Sequence, residues 1–128
     1  MYRFENAKGE KLTVILYSPG FGAGWGTWNN IEVAYDERLI EWLINNVDES
    51  EFKEALSHVS ANDTIEISEL FDRDAFENFV ETLYPNSYYG GLRDLTVYFA
   101  PTGKRLLIEE YDGSESINFL DDLPYIQT

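Results

Sequence analysis

The chain has 128 residues, 44% apolar and 16% aromatic, a composition that excludes a disordered acidic tail and predicts one domain over residues 1–128. It has no cysteine and one histidine, which excludes disulfides and thiolate metal sites. Its net charge of -15, from 24 acidic and 9 basic residues, should repel nucleic acid and anionic lipid and attract basic surfaces.

The N-terminus lacks the apolar stretch of a signal peptide, and the longest apolar run, residues 12–17, is far shorter than a membrane span. We therefore expect a cytoplasmic protein without a membrane partner. Residues 2–17 read as a β-hairpin with its turn at residues 7–10. Its second arm is apolar on both faces after Thr13, which predicts a central strand that pairs with C-terminal strands.

Two helices are predicted next. The first covers residues 36–46, with Asp36 as its N-cap and apolar residues at helical spacing on one face. The second covers residues 49–59, where Asp48 and Glu51 resemble a capping box.

A short strand is expected at residues 64–67, before a third helix. This helix should begin at Ser68 or Glu69, place its phenylalanines on one face, and end near Tyr84 because Pro85 follows.

The C-terminal part reads as strands. Residues 95–99 form the first strand, a Pro-Gly turn follows, and residues 106–111 are expected to be its hairpin partner. Residues 116–120 add a further strand. The order of strands, helices and strands predicts an α+β fold. We expect a mostly antiparallel sheet, from the N-terminal hairpin and the C-terminal strands, with about three helices from the middle packed on one face.

The most unusual segment is the loop at residues 17–30, which has glycine at positions 20, 22, 24 and 26. No register fits G-x-G-x-x-G, and the lysine of a P-loop is absent, so the loop does not match a nucleotide-binding motif. If extended, it would place Phe21 and Trp25 on one face. One interpretation is an ordered lid on the sheet. The other is an aromatic patch or pocket formed by Phe21, Trp25, Trp28 and Tyr89.

The negative charge is concentrated in the middle of the chain. Residues 32–81 contain fifteen acidic and three basic residues. On the third helix, Asp74, Glu77 and Glu81 form a stripe opposite the phenylalanines, although like charges at this spacing cost about 0.2–0.5 kcal/mol per pair. Together with Glu69, they are a candidate partner-binding face that imitates nucleic-acid phosphates. The alternative is an ordinary solvated surface.

No pattern points to catalysis. Ser18 does not lie in a G-x-S-x-G motif, and His58 is the single possible imidazole base. Asp72 and Asp74 would point apart on a helix, so they do not suggest a cation site. We therefore expect a protein without catalytic residues, bound metal or cofactor.

Two motifs carry a resemblance. The sequence YSPGFGAGWGTWN at residues 17–29 resembles a loop of small uncharacterised bacteriophage and prophage proteins. The sequence EYDGSE at residues 110–115 resembles their closing hairpin, and residues 89–91, 95–97 and 101–103 are also similar. The resemblance covers most of the chain outside residues 48–68. No activity is assigned to this family, so what it implies is a phage accessory protein.

These features predict a non-catalytic acidic protein that binds and inhibits, or modulates, a host protein with a basic surface, such as a defence or nucleic-acid-binding factor. It would not bind nucleic acid directly, and a homo-oligomer is left open. The first alternative is a small-molecule binder for a nucleotide signal. It would use the glycine loop and residues 88–91, with Arg93 or Arg105 meeting the anion. The second alternative is a minor virion or assembly component.

Overall fold

The computed structural model describes the backbone of residues 1–47 and 49–120, and the side chains of these residues except 49–51. The strands are β1 (Arg3–Glu5), β2 (Lys11–Tyr17), β3 (Thr64–Glu66), β4 (Thr96–Pro101), β5 (Leu106–Tyr111) and β6 (Ser114–Phe119). The helices are α1 (Glu37–Asn46), α2 (Glu49–His58) and α3 (Arg73–Leu83), and short 3-10 turns cover Gly26–Trp28, Ile31–Ala34 and Gly90–Asp94.

The predicted α+β class is confirmed. One antiparallel sheet has the strand order β1-β2-β4-β3, and β5 and β6 form a separate two-stranded sheet. β2 lies at the centre of the larger sheet and pairs with β4 from Leu12↔Pro101 to Tyr17↔Thr96, as expected for a strand that is apolar on both faces.

The predicted hairpin between residues 95–99 and 106–111 is wrong. A strand has two edges, and both edges of β4 are occupied, by β2 on one side and by β3 on the other. β5 therefore has no free edge of β4 to join and pairs with β6 instead, with Ile108 opposite Ile117.

Alternation along β2 separates two apolar layers. Leu12, Val14 and Leu16 belong to the core cluster that includes residues of all three helices. Ile15, which faces the other way, is only 2% exposed and lies near the β5–β6 hairpin. The larger sheet thus has helices on one face and the hairpin on the other.

The caps set where the helices begin. Asp36 is the N-cap of α1, as predicted, and its side chain accepts the N–H of Arg38 at 2.8 Å. α3 begins later than expected, because Asp72 caps it by accepting the N–H of Ala75 at 3.1 Å. Glu69 therefore precedes the helix, and the proposed cap at Asp48 lies outside the described residues. None of the helices described here is long and apolar enough to cross a membrane.

Asp36 also joins α1 to the end of α3. Its carboxylate forms an ion pair with Arg38 at 2.7 Å and accepts the hydroxyl of Tyr84. These hydrogen bonds, that of Arg38 first, lower the pKa of Asp36 to about 2. Burial and the bond to Asp36 raise the pKa of Tyr84 to about 12.

We predict that Asp36→Asn, which keeps a good N-cap, lowers the free energy of unfolding at pH 6 by about 1 kcal/mol. The folded-state pKa lies below the ordinary value, so the carboxylate stabilises the fold above about pH 4 and loses this effect as the pH falls toward 2. The difference between the two proteins should therefore shrink between pH 5 and pH 2 in urea denaturation curves. Glu37→Gln, on the same helical turn, controls for the loss of one exposed carboxylate.

Candidate functional site

The four predicted aromatic residues do not form one patch. Phe21 is 69% exposed and Trp28 is 42% exposed, whereas Trp25 is fully buried. Tyr89 is half-buried, and its hydroxyl donates to the carboxylate of Glu81 on α3. The loop brings Phe21 and Trp28 to the surface and sends Trp25 inward.

Trp25 belongs to the core. Its indole N–H donates to the carbonyl of Val33 at 3.2 Å, and its ring centroid lies 6.2 Å from that of Phe76 on α3. The expectation that Phe21 and Trp25 share a face is wrong because the segment between them is not extended. Gly22 has a φ of +102°, which turns the chain.

The two glycine-aromatic segments pack directly on each other. A Cβ atom on Gly91 would lie 2.3 Å from the carbonyl oxygen of Gly24, and one on Gly90 would lie 2.8 Å from the Cβ of Ala23. This contact leaves no space for a ligand between the segments. Arg93 lies outside the contact, where its guanidinium donates to the carbonyl of Phe21 at 3.3 Å.

The glycine loop holds an anion, but the anion is the protein's own Glu115. This side chain is only 2% exposed. Its Oε1 accepts the N–H of Ser18 at 2.8 Å, and its Oε2 accepts the N–H and the hydroxyl of Thr27 at 2.9 and 2.5 Å. The carboxylate therefore accepts three hydrogen bonds, and its negative charge makes each of them strong. They occupy loop donors that could otherwise bind a phosphate.

The backbone of the β5–β6 turn completes this contact. The N–H of Glu115 donates to the carbonyl of Ser18, and that of Gly22 donates to the carbonyl of Asp112, both at 2.7 Å. Gly113 has a φ of +83°, and a Cβ there would lie 2.3 Å from the nitrogen of Ala23. The two motifs that carry the phage resemblance therefore bind each other.

The sequence interpretation did not single out Glu115. The signal in the sequence was the position of this glutamate, two residues after Asp112-Gly113. That position alone does not show that the glutamate is buried, because its hydrogen-bond partners lie near the other end of the chain.

The exposed aromatic residues border a shallow depression. It is lined by Phe21, Trp28, Glu110, Tyr111 and Asp112, together with Gly22. The indole N–H of Trp28 donates to Glu110 at 3.0 Å, which fixes one wall. Of the four residues predicted to form an aromatic patch, Phe21 and Trp28 line this depression. Tyr111 lines it as well and was not predicted.

Further acidic residues lie near the end of α3. Tyr84, the C-cap of α3, donates its hydroxyl to Asp36 and lies 3.3 Å from a carboxylate oxygen of Glu32, two residues that precede α1. We define the acidic face by five residues: Glu32, Asp36, Asp74, Glu77 and Glu81. Glu69 lies in the turn before α3 and is exposed.

Glu81 is the acid of the α3 stripe whose position is fixed by hydrogen bonds. The backbone N–H of Asn86 donates to it at 2.8 Å, and the hydroxyl of Tyr89 donates to its other oxygen. These bonds lower the pKa of Glu81. Burial, followed by the bond to Glu81, raises the pKa of Tyr89. Tyr89 thus supports the acidic face rather than an aromatic pocket.

The chemistry of the remaining candidates is limited. Ser18 is buried, and its hydroxyl donates to the carbonyl of Ala23 at 3.3 Å. Among the side chains that the structure describes, no three carboxylates or histidines come together as possible metal ligands. Of the predicted sites, those that still face solvent are the acidic face and the aromatic depression.

Comparison with known proteins identifies no relative of this chain. The chain matches no family model, no curated protein and no solved structure. The α+β architecture, with an acidic helical layer and a hairpin bound to a glycine loop, is thus what defines the class of this protein.

We predict that Glu115→Ala lowers the free energy of unfolding by about 3 kcal/mol, because it leaves buried N–H groups without acceptors. Glu115→Gln should also destabilise, since either orientation of the amide directs its NH2 group at a backbone N–H. The measurement is urea denaturation followed by tryptophan fluorescence. Glu109→Ala, an exposed site on the same hairpin, should change stability by less than about 0.5 kcal/mol. Equal effects at positions 109 and 115 would contradict this role of Glu115.

Proposed function

We propose that the protein is a non-catalytic, phage-type accessory protein that binds a basic surface of a host protein and inhibits it. The acidic face would occupy the site that the host protein uses for nucleic-acid phosphates. The observation that carries this proposal is the stripe of Asp74, Glu77 and Glu81, which no ion pair neutralises among the described residues.

The spacing of the stripe supports phosphate imitation. With a rise of 1.5 Å per residue, the three acids lie about 4.5 and 6 Å apart along the helix axis. A DNA strand carries a phosphate about every 3.4 Å along the duplex axis. The two patterns have the same order of charge density, and a groove lined by lysine and arginine attracts both.

The packing of the stripe supports a rigid face. Phe76 and Val80, on the opposite side of α3, are fully buried, so the helix cannot rotate its acids away. Trp42 of α1 lies 5.3 Å from Phe76 and 6.1 Å from Phe79, measured between ring centroids. Such a preorganised face loses little conformational entropy when a partner docks.

The small-molecule alternative loses the cavity on which it was based, since the glycine loop and residues 88–91 are in direct contact. No described feature favours a virion component over an inhibitor.

The aromatic depression lined by Phe21, Trp28 and Tyr111 can supply apolar contacts beside an electrostatic interface.

We predict that immobilised protein captures basic bacterial proteins at about 50 mM salt and releases them by about 500 mM, because salt screens exposed charges. A captured protein should bind the double variant Asp74→Lys with Glu77→Lys at least about tenfold more weakly, by titration calorimetry. Duplex DNA should compete with the wild-type protein for it.

The matched control is Glu5→Lys with Glu109→Lys, which changes the net charge equally at exposed positions outside the acidic face. It should bind nearly as well as the wild type. If the two double variants bind equally, the acidic face is not the binding site. If DNA releases none of the captured proteins, the acidic face does not occupy a nucleic-acid site.

A further inference from the structure

A second cavity lies on the other side of the larger sheet, between this sheet and the β5–β6 hairpin. It has a volume of about 530 Å³. This lies within the range of about 300–1,000 Å³ that is typical of small-ligand sites. Tyr98 and Phe119, with ring centroids 6.2 Å apart, join the sheet to the hairpin nearby. We call this cavity the hairpin cleft.

The hairpin cleft is mostly apolar. The sheet contributes Ile15 and Ala100, and the hairpin contributes Leu106 and Ile108. Its lining also includes three of the seven large apolar side chains that are exposed in the described residues: Met1, Ile31 and Leu107, which are 52%, 46% and 44% exposed. Apolar surface therefore continues from the floor of the cleft to its mouth, where a bound hydrocarbon chain would remove it from water.

The charged residues that line the hairpin cleft in the described part of the chain differ in sign from the net charge of the protein. They are Arg3, Lys104 and Arg105, all basic, although the chain has 24 acidic and only 9 basic residues. Arg3 and Lys104 are exposed on different elements, and the ammonium of Lys104 lies 5.5 Å from the Phe119 ring centroid. Cations at an apolar site complement an anionic head group.

We propose that the hairpin cleft binds a single-chain amphiphile with a carboxylate head, such as a free fatty acid. The hydrocarbon chain lies between Ile15 and Ala100 on the sheet and Leu106 and Ile108 on the hairpin. The carboxylate lies at the mouth, where Arg3 and Lys104 compensate its charge. This site shares no residue with the acidic face and uses charges of the opposite sign, so it does not depend on the proposed inhibitor function.

Charge decides between this ligand and other apolar ligands. A neutral chain gains the same burial but no ion pairs, and a cationic amphiphile is repelled by Arg3 and Lys104. An anionic bilayer brings many like charges against a protein of net charge -15, whereas one monomeric carboxylate meets mainly the local cations. The structure therefore favours a monomeric carboxylate amphiphile over a membrane surface.

The test uses dodecanoate below its micelle concentration, with dodecanol and dodecyltrimethylammonium as probes of equal chain length. Dodecanoate should bind with 1:1 stoichiometry in titration calorimetry and shift the backbone amide NMR signals of Ile15, Ala100 and Ile108. The alcohol should bind about tenfold more weakly, and the cationic probe should not bind there. Vesicles of anionic phospholipid should not retain the protein in a flotation assay.

Variants separate the site from adventitious detergent-like binding. Arg3→Glu and Lys104→Glu should each weaken dodecanoate binding about fivefold, and Leu107→Ser should weaken all chain-dependent binding. Lys8→Glu, an equal charge change at the β1–β2 turn, should leave binding unchanged. Each substituted residue is exposed to solvent, so we expect every variant to fold. The backbone amide NMR spectrum of each variant verifies this.

Three outcomes would overturn the proposal. Equal affinity for the three probes would show that charge does not select the ligand. Amide shifts confined to other surfaces would place binding elsewhere. A wild-type dimer in sedimentation experiments that Leu107→Ser dissociates, without dodecanoate binding, would assign the hairpin cleft to a second copy of the chain.

Discussion

The structure depends on the contact between the buried carboxylate of Glu115, on the β5–β6 hairpin, and the backbone of the glycine loop. Its oxygens accept hydrogen bonds from the backbone of Ser18 and Thr27, which lie on either side of the tightest turns of the loop. A buried charge is costly unless it is compensated, so these donors are needed for the fold to be stable. In return, the carboxylate satisfies N–H groups that the loop would otherwise bury without acceptors.

This contact also explains the second layer of the protein. β5 cannot pair with β4, because β2 and β3 occupy both edges of that strand. The hairpin is instead attached at its turn, where Gly113 packs against Ala23. Once attached there, it covers the face of the sheet that carries Ile15 and forms one wall of the hairpin cleft. The cleft is thus a consequence of where the turn is held.

The central sheet also separates two electrostatic environments. On the helical side, α3 carries exposed Asp74 and Glu81 and half-buried Glu77, with its phenylalanine side in the core. On the hairpin side, the charged residues that line the cleft are basic within residues 1–47 and 49–120. A protein of high net negative charge can therefore attract a basic macromolecule at one surface and an anionic small molecule at another, since local charges dominate within a Debye length of about 8–10 Å.

The sequence by itself determined the α+β class, the central position of β2 and the Asp36 cap, because hydrophobic periodicity and capping are local. It also located the acidic stripe on α3, since helical spacing places residues 74, 77 and 81 together. Only the tertiary structure decided that Trp25 is buried, that β5 pairs with β6, and that Glu115 fills the loop. These outcomes depend on competition for strand edges and on contacts such as that between Ser18 and Glu115, which are 97 residues apart.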